Sequence, residues 1–363
     1  MKVNGKASKH EYITDTLRRE ILGEVFEPGT RLPVQGELAQ RFKVGSGTIT
    51  NVLQRLSREG FLTAKAGVGT IVRDDLPHLN NIAVALPATR DGRYWSKFYA
   101  AIAAAVPSMR AELGRPIRIL EGFDDPRGET RRDLIDLVQT HQVAGILFAT
   151  SPHVLIDTPI LVEPGVPRIA IMNRGVAMTG IDTRIVIGEQ FMEQALNYLA
   201  SRGRHRIAIF DNAHFTHNET HLQQLLAAHD MVSPPRWTIP MSIELPATAR
   251  YVTRLMMRAG QSDRPDGLVV MNDNLVDETI AGLVAEGIKV PDDLEVVAHC
   301  NFPWPPVNIL PIKRLGVDVR NLLRLGIDLI DRRRRGETVP QDIILPTVFE
   351  EAIVLVAPRR VKN

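Results

Sequence analysis

The chain has 363 residues, of which 44% are hydrophobic and 24% charged, and it contains a single cysteine, Cys300. This composition is typical of a globular protein, the length predicts two or three domains, and a lone cysteine excludes an intramolecular disulfide. The first ten residues are polar and basic, without the apolar segment of a signal peptide, and no run reaches the roughly 18 apolar residues of a spanning helix. We therefore expect a cytoplasmic protein without membrane contact.

The excess positive charge of the chain is concentrated near its beginning. The first 75 residues contain 12 lysines and arginines against 9 acidic residues, whereas the other 288 residues contain 32 against 33. A nucleic-acid partner uses such an excess to neutralise phosphates. The charge distribution therefore favours nucleic-acid binding by the N-terminal fifth of the chain.

Apolar residues before residue 75 recur at helical spacing and predict three short amphipathic helices. The positions are Tyr12, Ile13, Thr16, Leu17 and Ile21, then Leu38, Ala39 and Phe42, then Ile49, Val52, Leu53 and Leu56. The third helix begins at Ser46 or Gly47 and ends at Gly60. Two β-branched runs on either side of residues 65–69 predict a hairpin with a glycine-rich tip. Three helices and this hairpin form a winged helix-turn-helix, which we assign to residues 1–75.

From residue 80 onwards the pattern changes to short apolar runs separated by amphipathic helices. The runs predicted to be strands are 82–86, 117–120, 144–148, 168–171, 206–210, 267–271 and 294–298. Continuous apolar strands that alternate with helices indicate a parallel sheet covered on both faces. Because seven strands exceed one comfortable sheet and a second series begins at Ile181, we predict an α/β, two-lobed, doubly wound effector domain over residues 81–363, after a linker at 76–80.

A set of residues between positions 12 and 74 matches one known pattern in both type and spacing. They are Ile21, Gly23, Gly29, Leu32, Pro33, Glu37, Leu38, Ala39, Phe42, Val44, Thr48, Leu53, Leu56, Glu59, Gly60, Gly67, Gly69, Thr70 and Val72. In these positions the segment resembles the winged-helix domain of the GntR family. The resemblance implies double-stranded operator DNA as a partner, with the third helices of a homodimer in successive major grooves.

The resemblance also suggests which side chains contact DNA. In the family, arginines commonly stand where this chain has Gly36, Ser46 and Thr50, and arginine is the usual reader of guanine, so we expect a different operator. Base or phosphate contacts are expected from Ser46, Thr48, Thr50, Asn51 and Gln54. At the wing, Gly67 and Gly69 are expected to approach the DNA backbone or the minor groove. Phosphate contacts are expected from Arg31, Lys43, Arg55, Arg58 and Lys65. For Arg55 and Arg58, a purely solubilising role on the helix face is an equal alternative.

Four segments of the body carry a second resemblance. They are Gly180–Asp182, Leu199–Ala208, Asn272–Asp273 and Gly287–Leu294. In order and spacing they resemble the effector domain of LacI repressors and periplasmic sugar-binding proteins, the periplasmic-binding-protein-like fold of type I. A GntR-type head on such a body is the architecture of arabinose-repressor-like regulators. It implies a small effector, a sugar or sugar-like metabolite, bound between the lobes at the carboxyl ends of the strands.

Residues that follow the predicted strands are the candidates for effector binding. They are Tyr94, Trp95, Asn173, Arg174, His217, His221, Asp273 and Asn301. Asp273 is retained from the family pattern, but residues 217–221 replace a common arginine and residues 299–301 replace a usual aspartate. A modified sugar or another small metabolite therefore stays open, as does a regulator whose pocket no longer senses a ligand.

Two further patterns admit more than one interpretation. His214, His217 and His221 have the spacing of one helix face and could hold zinc, but a ligand loop is the favoured interpretation, and we predict no metal and no cofactor. The run from Arg332 to Arg335 ends an amphipathic helix and is interpreted as a solvated helix end, with auxiliary DNA or partner contact as the alternative.

The sequence does not favour catalysis. It has no nucleophile elbow in a strand-turn-helix context, no phosphate-binding loop and no zinc-protease motif. Cys300 and His299 are adjacent in a predicted strand, where alternation aims neighbouring side chains apart. We therefore expect a transcriptional regulator, a repressor, and not an enzyme. The alternative of another class is an α/β enzyme with an accessory DNA-binding head.

Overall fold

A computed structural model describes residues 9–92, 94–212, 219–261, 263–303 and 308–353, and for Asn212 the backbone alone. His214 and His217 lie outside the described residues. The chain begins with a small helical head that ends in a hairpin. Its elements are α1 (Lys9–Leu22), α2 (Gln35–Phe42), α3 (Ser46–Arg58), β1 (Leu62–Lys65) and β2 (Gly69–Val72).

The predicted helical stripes form the core of the head. Its buried residues include Ile13, Leu17, Ile21, Leu38, Ile49, Val52, Leu53, Leu56 and Phe61. The expectation for Tyr12 was wrong, because its side chain is 60% exposed. The buried stripe of α1 follows Ile13, Leu17 and Ile21, and Tyr12 is offset from Ile13 by about 100° around the helix axis. Lys43 adopts a φ of 52°, which ends α2 and turns the chain towards α3.

A short helix and the first part of the body follow the head. The elements are α4 (Pro77–Asn80), β3 (Ile82–Leu86), α5 (Lys97–Leu113), β4 (Ile117–Glu121), α6 (Glu129–Gln139), β5 (Gly145–Phe148), α7 (Pro159–Val162), β6 (Arg168–Ile171) and β7 (Thr183–Ile187). These strands are parallel, and they are fully buried in most positions because helices cover both faces of the sheet.

The rest of the body forms a second sheet and then returns to the first. The elements are α8 (Phe191–Ser201), β8 (Ile207–Asn212), α9 (Glu219–Ala227), β9 (Thr238–Met241), α10 (Ala247–Met257), β10 (Gly267–Val270), α11 (Val276–Ala285), β11 (Glu295–Phe302), β12 (Lys313–Asp318), α12 (Val319–Arg334), β13 (Asp342–Leu345) and β14 (Val348–Phe349). The strand orders are β13-β7-β6-β5-β3-β4 in the first lobe and β14-β12-β11-β10-β8-β9 in the second. The two-lobed, doubly wound fold is confirmed.

The chain crosses between the lobes three times, after β7, after β12 and after β13. Helix α12 belongs to the first lobe, where Leu322, Ile327 and Ile330 join its core. Gly326 lets α12 pack closely against β5, because a Cβ atom at this position would lie only 2.7 Å from Leu147 Cδ2. Within the described residues, no helix combines the length and apolar character that a membrane span requires.

All seven predicted strands are present, but the second series does not begin at Ile181. Thr183–Ile187 forms β7, which lies in the first sheet between β6 and β13. The sequence prediction also missed β9, β12, β13 and β14. Strand β13 pairs with β7 although more than 150 residues separate them in the chain, so the pairing has no local signal.

Candidate DNA-binding surface and ligand cleft

Helix α3 presents a polar face to solvent. Ser46, Asn51, Gln54 and Arg58 are exposed, and Thr48 and Thr50 are half-exposed. The Thr50 hydroxyl donates a hydrogen bond to the Ser46 carbonyl oxygen at 3.0 Å, so its proton is already used within the helix. Thr48 and the exposed amides remain the side chains best placed to contact base edges.

The wing and the segment before α2 extend this surface. Lys43, Lys65, Gly67 and Gly69 are exposed. Arg31 lies against the wing, because a Cβ atom at Gly69 would come within 3.0 Å of Arg31 Nε. The absence of a side chain at Gly69 therefore allows the Arg31 guanidinium to approach the hairpin.

Arg55 has a partner inside the head. Its Nε atom donates to Glu59 Oε1 at 2.8 Å, and the other oxygen of Glu59 accepts from the buried Arg18 of α1 at 2.6 Å. Arg18 also pairs with Asp15 at 2.7 Å. These bonds join α1 to the end of α3, which favours a structural role for Arg55, whereas Arg58 is exposed on the same helix.

The second lobe supplies buried polar groups to the cleft. Asp273 follows β10 and is 3% exposed, and Asn301 in β11 donates from Nδ2 to Asp273 Oδ2 at 2.5 Å. Burial raises the pKa of Asp273, while nearby His299 and the hydrogen bond from Asn301 act to lower it. The sequence placed Asp273 and Asn301 in one site, and the fold brings them into contact.

Two atoms beside this pair lack hydrogen-bond partners among the described residues. They are Oδ1 of Asn301 and Nδ1 of His299, and both are buried. Burial lowers the pKa of His299, against the effect of Asp273. Because buried polar atoms in native proteins are almost always hydrogen-bonded, unpaired atoms next to a carboxylate indicate a place where a hydroxyl-bearing ligand can bind.

The first lobe supplies aromatic groups. Trp95 is half-buried, its ring centroid lies 6.1 Å from that of Tyr99, and the Arg90 guanidinium lies 5.9 Å from the Trp95 centroid. Burial raises the pKa of Tyr99 to about 12, with a further contribution from Asp124, while a hydrogen bond with Thr150 acts to lower it. An aromatic wall of this kind suits the apolar face of a sugar ring.

The two lobes touch directly at the start of α5. The backbone nitrogen of Lys97 donates to Asn274 Oδ1 at 3.0 Å, and Lys97 Nζ forms an ion pair with Asp277 at 2.6 Å. Trp95 is two residues from this contact and Asp273 is one residue from it. The described contacts therefore place the aromatic and the acidic side of the cleft next to each other.

The other candidates are more dispersed. Tyr94 is 59% exposed. Asn173 and Arg174 are exposed after β6, where Arg174 pairs with Glu189 at 3.3 Å, and His221 is exposed on α9. In the part of the chain that the structure describes, the lobe-to-lobe contacts at Lys97 do not include Asn173, Arg174 or His221.

Sequence reasoning missed four polar residues near the carboxyl ends of strands. They are Tyr99, Asp124, Thr150 and the buried Asp211. Asp124, Thr150 and Asp211 follow or end the strands β4, β5 and β8, so the rule used for the other candidates could have found them. Tyr99 lies within α5, and only the packing of that helix against the strands shows its position.

The buried thiol beside the cleft is not suited to nucleophilic chemistry. Burial, together with the neighbouring Asp273, raises the pKa of Cys300 to about 12. The reactive thiolate is therefore strongly disfavoured at neutral pH. Among the described residues, no group of three His, Cys, Asp or Glu side chains is arranged to hold a metal ion.

Comparisons with known families match the two parts of the chain separately. The family of bacterial regulatory proteins of the gntR type matches residues 9–72, and the periplasmic binding protein-like domain matches residues 196–350. The chain joins a GntR-type helix-turn-helix domain to a periplasmic-binding-protein-like domain. The resemblance inferred from the sequence is confirmed for both parts.

Transcriptional regulators are among the relatives of this chain. The arabinose metabolism transcriptional repressor of Geobacillus stearothermophilus is 20% identical over 350 residues, which cover 87% of this chain and 91% of the repressor. A glucose-bound LacI family regulator from Lactobacillus casei has a TM-score of 0.53 and 19% identity, covering 74% of this chain and 97% of that one.

A third relative shares the same body fold. A LacI family regulator from Arthrobacter sp. FB24, solved in complex with lactose, has a TM-score of 0.55 at 16% identity and covers 74% of this chain and 97% of that chain. At these identities the solved structures establish the two-lobed fold of the body. Glucose and lactose are ligands of those regulators, and the shared fold does not identify a ligand of this chain.

Proposed function

We propose that this protein is a DNA-binding transcriptional repressor whose operator affinity is controlled by a sugar or sugar-like metabolite in the cleft. Residues 1–75 serve as the DNA-binding head, 76–80 as the linker and 81–363 as the effector domain. The observation that carries this proposal is the buried Asp273–Asn301 pair, with unpaired polar atoms beside it and Trp95 two residues from the contact between the lobes.

The head supports the DNA-binding half of the proposal. The face of α3 with Asn51 and Gln54 is exposed, and so are the basic side chains Lys43, Arg58 and Lys65 of the head. In winged-helix proteins a helix of this kind enters the major groove, while basic side chains at its margin neutralise phosphates. The side chains proposed as DNA contacts are exposed or half-exposed, and Thr50 and Arg55 also have partners inside the head.

The cleft supports the ligand-binding half. Two hydroxyls of a sugar can donate, one to Asp273 and the other to the unpaired Oδ1 of Asn301, while the sugar ring stacks against Trp95. Ligand in the cleft would favour one arrangement of the lobes at the Lys97 contact. The effector changes operator affinity only by its differential affinity for the two arrangements, which is a population shift.

A homodimer is part of the proposal because a palindromic operator needs two heads. The second lobe offers a surface for this contact, since Tyr251 and Leu255 on α10 are 65% and 66% exposed. These residues are four apart and lie on one face of the helix. Large apolar side chains clustered on a surface are typical of a protein interface.

The first test is a thermal-shift screen of the full-length protein against monosaccharides, sugar phosphates, sugar acids and nucleosides. A ligand stabilises the native state by RT ln(1 + [L]/Kd), about 2.7 kcal/mol at a hundredfold excess over Kd, which gives a clear rise in Tm. Operator DNA isolated by in vitro selection is then titrated with and without each responsive compound. We expect one chemical class to raise Tm and to lower operator affinity.

Two outcomes would contradict the proposal in different ways. Failure to enrich any DNA sequence would contradict the role of the head. Operator binding without a response to any compound class would contradict a sensing cleft and favour a regulator that no longer binds an effector. Turnover of a responsive compound would favour the enzyme alternative, for which the buried thiol of Cys300 offers no support.

A further inference from the structure

A cavity of about 670 Å³ lies where the head, α4 and the first lobe meet. Helix α1 contributes Leu22, α4 contributes His78, and the lobe contributes the rest of the wall. The lining residues of the lobe are His141, Val143, Pro164, Gly165, Val166, Pro167, Arg168, Gly180, Ile181, Asp182, Arg333 and Arg334. Three parts of the chain that belong to different structural units therefore line one cavity that is open to solvent.

This cavity is distinct from the effector cleft. His141 and Val143 precede β5, Pro167 precedes β6, and Asp182 precedes β7. These residues lie at the amino ends of the strands, whereas the cleft residues lie at the carboxyl ends. The sheet of the first lobe thus separates the two spaces, and a ligand in one cannot contact a ligand in the other.

The charged side chains of the wall are mostly cationic. Three arginines, Arg168, Arg333 and Arg334, line it against one carboxylate, Asp182. Arg333 pairs with Asp182 at 2.8 Å. The buried Arg168 donates to carbonyl oxygens of its own loop, including Val166 at 2.8 Å, so it adds charge but does not reach out to a ligand.

Arg334 connects the cavity to the linker. Its Nη1 atom donates to the Leu79 carbonyl oxygen of α4 at 2.7 Å, and Arg115 donates to the same oxygen at 3.2 Å. Arg334 is half-buried, so the expectation of a solvated helix end is wrong for this residue. Arg335, the next residue, is exposed and pairs with Glu337 at 2.6 Å.

Two imidazoles complete the wall. The buried Nδ1 atom of His78 has no hydrogen-bond partner among the described residues. Burial, together with the positive charge of Arg334 and the nearby His141, lowers the pKa of His78 to about 4. Burial and Arg18 lower the pKa of His141, against Glu163 and Asp15. Neighbouring positive charges and an unpaired ring nitrogen are the features that an anion would compensate.

We propose that the cavity binds a small oxyanion of the phosphate class, either inorganic phosphate or the phosphate group of a metabolite. The guanidinium groups of Arg333 and Arg334 and the rings of His78 and His141 are the donors. Arginine and imidazole together provide the charge-assisted hydrogen bonds that phosphate oxygens accept. Because His78 belongs to the linker and His141 to the lobe, a bound anion would hold the head in one orientation relative to the body.

The test measures binding of inorganic phosphate to the full-length protein, without DNA or sugar, by calorimetry and thermal shift at constant ionic strength against chloride. Arg334→Gln removes a donor from the cavity, and His141→Asn removes the imidazole while keeping a residue type that tolerates the left-handed φ of 55° at this position. Arg335→Gln is the matched control, because it removes an equal charge from the same helix end outside the cavity.

We expect saturable phosphate binding to the wild type, a Kd at least about tenfold higher in R334Q and H141N, and a Kd within about twofold of wild type in R335Q. No phosphate effect beyond that of chloride would overturn the proposal. So would equal weakening in R334Q and R335Q, or loss of binding in Arg58→Ala instead of H141N, which would place the anion on the DNA-binding surface. The assay needs neither operator nor effector, so its result is independent of the proposed function.

Discussion

The polar face of α3 is built from side chains of one helix, whereas the cleft of the body is built from side chains of distant segments. On α3, Thr48, Asn51 and Gln54 come from one helix and are at least half-exposed. In the cleft, Asp273 lies in the turn after β10 and Asn301 lies in β11, 28 residues further along the chain; both are buried and they hydrogen-bond each other. Trp95 comes from the other lobe. The site on α3 is therefore exposed to solvent and formed by one element, whereas the site in the cleft is buried and formed only when the domain folds.

This difference predicts how each site responds to substitution. On an exposed helix face, each side chain is expected to act almost independently, because water replaces what is lost. In the cleft, removal of one polar group leaves its buried partner without a hydrogen bond, so the cost exceeds that of a single contact. Substitutions in the cleft should therefore have larger effects than substitutions on α3, and neither set should affect the function of the other.

The largest effect is expected for Asp273→Ala. It removes the buried carboxylate that accepts from ligand hydroxyls, and loss of a hydrogen bond to a charged group costs about 2–3 kcal/mol, or roughly a hundredfold in effector affinity. The unpaired Nδ2 of Asn301 lowers the stability of the free protein, so Tm is measured as well. Operator affinity without effector should change by less than about twofold. Calorimetry and operator titration measure the two effects, with the exposed Asp292→Ala as control. Parallel loss of both activities would contradict the separation of the sites.

A smaller loss is expected for Trp95→Ala. The ring offers one face to the ligand, and such stacking is worth about 0.5–1.5 kcal/mol, or up to roughly tenfold in effector affinity. Trp95→Phe should restore most of it. Because Trp95 also packs against the core of the first lobe, Tm is measured for both variants. Unchanged effector affinity in W95A would remove Trp95 from the site.

On the head, Thr48→Val removes one hydroxyl while keeping the branched shape of the side chain. Loss of a single base contact costs about 1 kcal/mol, so operator affinity should fall roughly fivefold while affinity for random DNA stays constant. Competition between selected and random fragments measures the ratio. An equal fall for both kinds of DNA would assign Thr48 to a phosphate contact.

The smallest effect is expected for Arg58→Ala. Loss of one phosphate contact should lower affinity by about threefold for all sequences and reduce the slope of log K against log salt by about 1. Arg19→Ala on the exposed side of α1 removes the same charge and serves as control. If both variants change the slope equally, the effect is one of net charge and not of contact at α3.

The sequence predicted the head almost completely. Helical periodicity identified the three helices, and the residues that form the core of α3 are the four predicted ones, Ile49, Val52, Leu53 and Leu56. Tyr12 was wrongly placed in the core because successive residues of a helix point about 100° apart around its axis, so the neighbour of a buried residue can face solvent. The partner of Arg55 could not be foreseen, because Arg18 enters the network from a different helix.

For the body, the sequence predicted the fold class but not which strands pair or how the chain passes between the lobes. Seven apolar runs identified seven strands, yet β7 and β13 are partners from distant segments, and α12 returns to the first lobe after the second is complete. Strand position predicted that Asp273 and Asn301 share a cleft. Their hydrogen bond, the unpaired His299 Nδ1 and the contribution of Tyr99 depend on how strands and helices pack.

The sequence by itself determined the properties that depend on local order: helix and strand periods, the change of pattern near residue 75, and the polar face of α3. These follow from side-chain spacing along one element, which the chain carries within a few turns. Only the packing of distant segments shows that α12 returns to the first lobe, that Arg334 donates to the linker carbonyl of Leu79, and that three arginines and two histidines border one cavity. Such contacts join residues far apart in the chain, and only burial of the apolar faces brings them together.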